Sequence, residues 1–132
     1  MPVDPVLKYL KDMELAFGSL SSGYIERYEE EILTPERVNL RIRVRFSKGQ
    51  MLEWNEAIIV ENGHLEHPGY RYHFQGRDND LIFRYDNTPH FPGLETFPNH
   101  KHLADKVSAA NMPSVQEVLK EVKRLLKTPQ KR

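Results

Sequence analysis

At 132 residues the chain has room for one hydrophobic core and is expected to form a single domain over 1–132. Lysine and arginine (19) balance aspartate and glutamate (19), which excludes a uniformly basic surface that draws in nucleic acid from every side; any such binding must come from a local patch. No cysteine is present, which excludes disulfides, thiolate zinc sites and cysteine nucleophiles together.

The balance of 39% hydrophobic and 29% charged residues is that of a chain that folds alone rather than a disordered one. Its longest aliphatic run, residues 57–60, falls far short of the roughly 20 residues a membrane-spanning helix needs. The first residues lack a basic stretch followed by an apolar one, so the expected compartment is the cytoplasm, with no membrane association.

Asp4 followed by Pro5 reads as an N-cap and a first helical residue, since proline lacks only an N–H that would be orphaned there. Val6, Leu10, Met13 and Phe17 recur at spacings of three and four and form one apolar stripe, and Gly18 is expected to end the helix in a left-handed conformation. From residue 24 to 86 the period changes to two, interrupted by turn chemistry around 33–36, 47–49, 61–63 and 76–80, which predicts five strands in a meander. In residues 38–46, Val38, Leu40, Ile42, Val44 and Phe46 share one face while Arg41, Arg43 and Arg45 share the other.

Prolines 89, 92 and 98 then break the pattern, and a long Pro- and His-rich loop is expected over about 88–110. Ser114 with Glu117 has capping-box spacing, and Val115, Val118, Leu119, Val122, Leu125 and Leu126 form the apolar stripe of a last helix. Residues 127–132 read as a basic, frayed tail. The expected class is α+β: a five-stranded antiparallel meander sheet with an N-terminal and a C-terminal helix packed on one face.

Four groups of residues bear on chemistry. Arg41, Arg43 and Arg45 repeat at the spacing of two strand residues, close to that of successive phosphates on an extended nucleic acid, and so form a candidate binding stripe. The glutamates of residues 26–31 offer a structural alternative, cross-strand ion pairs in which Glu29 or, one register along, Glu30 faces Arg41. Alternation also brings Arg71, His73, Arg84 and Asp86 to that polar face, where they have the makings of metal-free phosphodiester cleavage: a base, an acid and cations. The alternative is that Asp86 merely neutralises Arg71 or Arg84.

In the loop, His90, His100 and His102 could contribute acid–base groups, hydrogen bonds or ligands to zinc, the last being the basis of a metal-dependent hydrolase reading. Lys101 is a further candidate phosphate contact. His64 and His67 read as exposed turn residues, and Glu56, interrupting an apolar face between Trp54 and Ile58, is expected at a bulge or a sheet edge.

The stretches Tyr72-His73-Phe74-Gln75, Leu81-Ile82-Phe83-Arg84-Tyr85-Asp86-Asn87-Thr88-Pro89-His90 and Glu95-Thr96-Phe97-Pro98-Asn99-His100-Lys101-His102 resemble the core signature of the TumE toxin family, and the helix opened by Pro113-Ser114 fits its ending. The resemblance implies a small toxin encoded beside a helix-turn-helix antitoxin and acting on RNA; taken with the residues above, the leading reading is the toxin of a type II toxin–antitoxin system that works as a metal-independent endoribonuclease without a cofactor. His73, Arg84, Asp86, His90, His100 and His102 are the nominated catalytic residues; Arg41, Arg43, Arg45, Arg71 and Lys101 the nominated nucleic-acid contacts. A non-catalytic RNA- or protein-binding module is the other reading, and homodimerisation is left open.

Overall fold

The structure is a computed structural model that describes residues 4–127, so the basic tail expected over 127–132 lies, beyond Lys127, outside the described residues. The chain opens with helix α1 (Pro5–Gly18). Asp4 caps it as the sequence suggests, its carboxylate accepting the N–H groups of Val6 at 2.9 Å and Leu7 at 3.3 Å. Val6, Leu10, Met13 and Phe17 are all buried. The far end differs from expectation: the helix runs through Gly18, and Ser19 closes it in the right-handed region, its N–H and hydroxyl both satisfying carbonyls of the last turn. The left-handed glycine of this connection is Gly23 (φ +81°), where a Cβ would come within 2.7 Å of the Phe46 ring.

Strands β1 (Tyr24–Thr34), β2 (Arg37–Arg45), β3 (Met51–Glu61), β4 (His64–Gln75) and β5 (Leu81–Asp86) form the meander that the sequence predicts. The sheet does not stop there. Two further strands, β6 (His100–Leu103) and β7 (Val107–Ala109), extend it to seven in the order of the chain, so the five-strand expectation and the wholly irregular segment over 88–110 are both corrected. Four- and three-residue strands are too short to show alternation. What makes them strands is the unpaired edge of β5, whose backbone groups β6 satisfies. The proline-punctuated part before His100 stays irregular, as does the short connection at 104–106 between β6 and β7.

One face of the sheet is core. Val38, Leu40, Ile42 and Val44 of β2, Leu52, Trp54 and Ile58 of β3, Tyr70, Tyr72 and Phe74 of β4 and Phe83 of β5 are buried there. Trp54 and Tyr72 stack face to face with centroids 3.5 Å apart, and Phe17 of α1 meets the Trp54 ring edge-on at 5.6 Å. Helix α2 (Val115–Leu126) opens with the full capping box of Ser114 and Glu117 and buries Val118, Leu119 and Val122. It reaches the same face, because Glu121 accepts the Tyr85 hydroxyl at 2.7 Å and the Lys101 ammonium at 2.6 Å. Both helices therefore cover one side and leave the other to solvent. Among the described residues no helix is long and apolar enough to cross a membrane.

Glu56 is not at an edge. It sits in the third of seven strands, one residue before a register shift between β3 and β4, with its side chain fully buried on the core face. Its carboxylate accepts the hydroxyls of Tyr9 and, at 2.8 Å, Tyr72, so tertiary partners from α1 and β4 supply what alternation alone does not foresee. Burial, followed by the Glu56 charge, pushes both phenols well above their ordinary range. His67 is not an exposed turn residue either. Its ring packs on Tyr9 and its Nδ1 lies 3.3 Å from Glu56 Oε2, whereas His64 is exposed at the start of β4.

Candidate active site

The helix-free face carries most of the polar residues of the central strands, and cross-strand register lines them up. Arg71 of β4 faces Asp86 of β5, which faces His100 of β6; one step along, His73 faces Arg84, which faces His102. Each pair shares a face because directly opposed residues in an antiparallel ladder point the same way. Addition of β6 to the edge of β5 is thus the step that turns two strand carboxylate and guanidinium groups into a cluster with two imidazoles.

At its centre is Asp86, buried although it is charged and polar. Its Oδ1 lies 2.7 Å from His100 Nε2 and accepts the Thr88 N–H at 3.1 Å. Its Oδ2 accepts Arg84 Nε at 3.1 Å and lies 3.4 Å from His102 Nε2. The two imidazole Nε2 atoms are 3.0 Å apart. On the far side of its ring, His100 Nδ1 contacts the Pro98 carbonyl at 2.9 Å; a carbonyl has no proton to give, so Nδ1 carries the hydrogen and donates. The Phe91 ring meets both imidazoles in edge-to-face contacts, with centroids 5.0 Å from His100 and 5.8 Å from His102.

Accessibility separates the two histidines. His100 is almost sealed, whereas 18% of the His102 side chain is open to solvent. Burial, then the positive charge of Arg84, holds His102 below the ordinary imidazole range against the opposing pull of Asp86. Beside the cluster, a groove of about 340 Å³ runs over the polar face, lined among others by Asn39, Arg41, Asn55, Arg71, Asn87 and Thr88. The segment that carries the imidazoles is anchored: the Thr96 hydroxyl donates to the Asn99 carbonyl and accepts the Ala110 N–H, and Asn99 takes the Tyr70 hydroxyl.

A family model described as toxin TumE matches residues 16–128, which spans all seven strands and the second helix. The chain belongs to the TumE toxin family. No curated protein and no solved structure matches it significantly. The TumE match contains every member of the Asp86 cluster, and the resemblance read from residues 72–102 falls inside it.

Of the residues nominated in this TumE-family chain, the structure brings Arg84, Asp86, His100 and His102 into contact. His90 is exposed, and its ring contact is with Phe91 at 6.5 Å rather than with the cluster. Lys101 projects the other way, as alternation between His100 and His102 requires, and its ammonium lies over Tyr85 and against Glu121. In the arginine row, Arg43 grips Glu53 at 2.6 Å, Arg41 meets Glu29 at 3.3 Å and Arg45 meets Glu26 at 3.3 Å. Glu29 therefore does face Arg41, in the first of the two registers considered. Arg71 is exposed and enters none of the ion pairs among the described residues. Phe91, Thr88 and the Pro98 carbonyl are the site components that sequence reasoning missed; their neighbours in the chain offered no signal beyond proximity to the histidines.

His73 is separated from His102 by β5, and its Nε2 lies 2.9 Å from Gln75 Oε1. Burial lowers its pKa, outweighing the Gln75 hydrogen bond, and Arg84 and Arg71 add to the effect. On acidification the unfolded chain therefore takes up this proton before the folded one. The stabilising contribution is complete above the unfolded value of about 6.5 and declines as pH falls from there through the lower, folded value. Urea unfolding followed down this acidic limb should show wild type losing more stability than His73→Gln; superimposable curves would contradict the assignment.

Proposed function

We propose that this TumE-family protein is the toxin of a type II toxin–antitoxin pair and that it acts on RNA by cleaving phosphodiester bonds at the Asp86–His100–His102 cluster. The observation that carries the reading is the convergence of one carboxylate and two imidazoles within hydrogen-bond reach, with Arg84 touching the same carboxylate and a groove leading away past Arg71. Family membership supports the toxin part. A helix-turn-helix antitoxin is the proposed neutralising partner, and the cytoplasm the proposed place of action.

In the reaction, the 2′-hydroxyl loses its proton to a base at the cluster and its oxygen forms a bond to phosphorus. The bond from phosphorus to the 5′-oxygen breaks, and that oxygen takes a proton as it leaves. The products are a 2′,3′-cyclic phosphate and a 5′-hydroxyl end. Arg71 and Arg84 supply positive charge for the five-coordinate phosphorane, where added negative charge develops. Relative to the sequence reading, the reactive centre moves from His73 to the pair of imidazoles on β6. Binding along Arg41, Arg43 and Arg45 is weakened as a contributor because each arginine already has a glutamate partner.

The test is direct. Purified protein incubated with end-labelled single-stranded RNA should yield fragments with cyclic phosphate ends, and should leave the DNA of matching sequence whole. RNA that stays intact in chelator-treated and in zinc-supplemented buffer alike overturns the reaction, and steep salt-dependent binding without products would instead identify an RNA-binding module.

A further inference from the structure

We infer that Asp86, His100 and His102 are the protein ligands of one divalent first-row transition ion of the zinc type. One carboxylate oxygen and the two Nε2 atoms fall within a single coordination sphere, all lying within 4.8 Å of one another. The separations are more telling: 2.7 Å from Asp86 Oδ1 to His100 Nε2, 3.0 Å between the imidazole nitrogens and 3.4 Å from His102 Nε2 to Asp86 Oδ2. Bonds of about 2.0–2.2 Å to a common ion place neighbouring donors about 2.8–3.6 Å apart, which matches the imidazole pair and the His102–Asp86 Oδ2 separation, with Asp86 Oδ1 and His100 Nε2 slightly closer than that.

Ring orientation points the same way. His100 Nδ1 donates to the Pro98 carbonyl, which fixes the ring with Nε2 turned toward a carboxylate oxygen and the second imidazole nitrogen, the atom an Nε2-ligated ion would take. The surroundings also have the form of a ligand sphere's outer support: a backbone carbonyl orients His100, and Thr88 N–H and Arg84 Nε hold the two oxygens of Asp86. Two imidazoles and a carboxylate suit zinc and its neighbours rather than magnesium or calcium, which favour all-oxygen sets. Three ligands, of which His102 is partly open to solvent, leave coordination positions for water or a phosphate oxygen, the arrangement of a catalytic rather than a structural ion.

What the ion acts on rests on the RNA reading above; its binding does not. At the cluster it would polarise the scissile phosphate and supply a bound hydroxide as the base for the 2′-hydroxyl.

Chelator-treated full-length protein titrated with Co²⁺ should bind one ion per chain, develop visible d–d absorption and release the cobalt to Zn²⁺. Mg²⁺ should displace neither. His102→Ala, at the most accessible ligand, should weaken binding by more than the roughly 10–100-fold typical of outer-shell changes. In wild type, zinc should shift the Nε2 resonances of His100 and His102, a readout that holds even if the variant fails to fold. No stoichiometric binding by wild type, unaltered affinity in a folded His102→Ala variant, or shifts confined to His64, His67 or His90 would overturn the site. Stoichiometric zinc without RNA cleavage would remove the RNA reading and keep the site. Cleavage by protein stripped of all metal would keep the RNA reading and overturn the ion's place in it.

Discussion

Asparagine in place of Asp86 is expected to abolish growth arrest on inducible expression in bacteria and to slow RNA cleavage by about 10²–10⁴-fold, the span attributable to one misplaced acid–base centre. The substitution preserves shape. An amide oxygen can still accept the Thr88 N–H, so the turn after β5 is retained and the protein should melt in one cooperative transition. What is lost is the negative charge that Arg84, His100 and His102 all approach. With an amide there, one of its two ends must present N–H₂ to a group that approached an oxygen, and the imidazoles lose the partner that orders them. Single-turnover cleavage beside a melting curve separates the two effects, and wild-type rates in a folded Asp86→Asn protein would show that the cluster is not the reactive centre.

Truncating Trp54 to alanine should produce the largest loss of stability from any one core position, about 3–5 kcal/mol. The indole is 1% exposed, stacks on Tyr72 and receives the edge of Phe17, so it joins the central strands to α1. A typical domain has about 5–15 kcal/mol of stability in all, so the loss would lower the melting temperature by something on the order of 10–20 °C or prevent folding. Trp54→Phe makes a sharper comparison. The buried indole Nε1 has no hydrogen-bond partner among the described residues, so phenylalanine gives up volume but no polar contact and should cost much less. Equal losses in the two variants would mean that packing of the ring is not what Trp54 contributes.

Most of the architecture was legible in the residues because the rules that produce it are local. The N-cap at Asp4, the capping box at Ser114 and Glu117, and the alternation over residues 38–46 each operate within a few positions, and helices and strands appear where they indicate. The failures share a cause as well. Gly18 could have ended α1 left-handed, but Ser19 satisfied the same carbonyls from the right-handed region. Strands β6 and β7 have too few residues for a period, and their existence depends on an edge supplied by β5.

The same division holds at the site. Alternation by itself determined that Arg71, His73, Arg84 and Asp86 share a face, because successive strand residues point to opposite sides whatever the partners are. It could not say whether His100 and His102 join them, nor that Glu56 would find two tyrosine hydroxyls across the core. Those outcomes belong to the tertiary structure, since they are set by which strand pairs with which edge and in what register, and pairing Asp86 with His100 rather than with its neighbour Lys101 decides whether an imidazole or an ammonium meets the carboxylate.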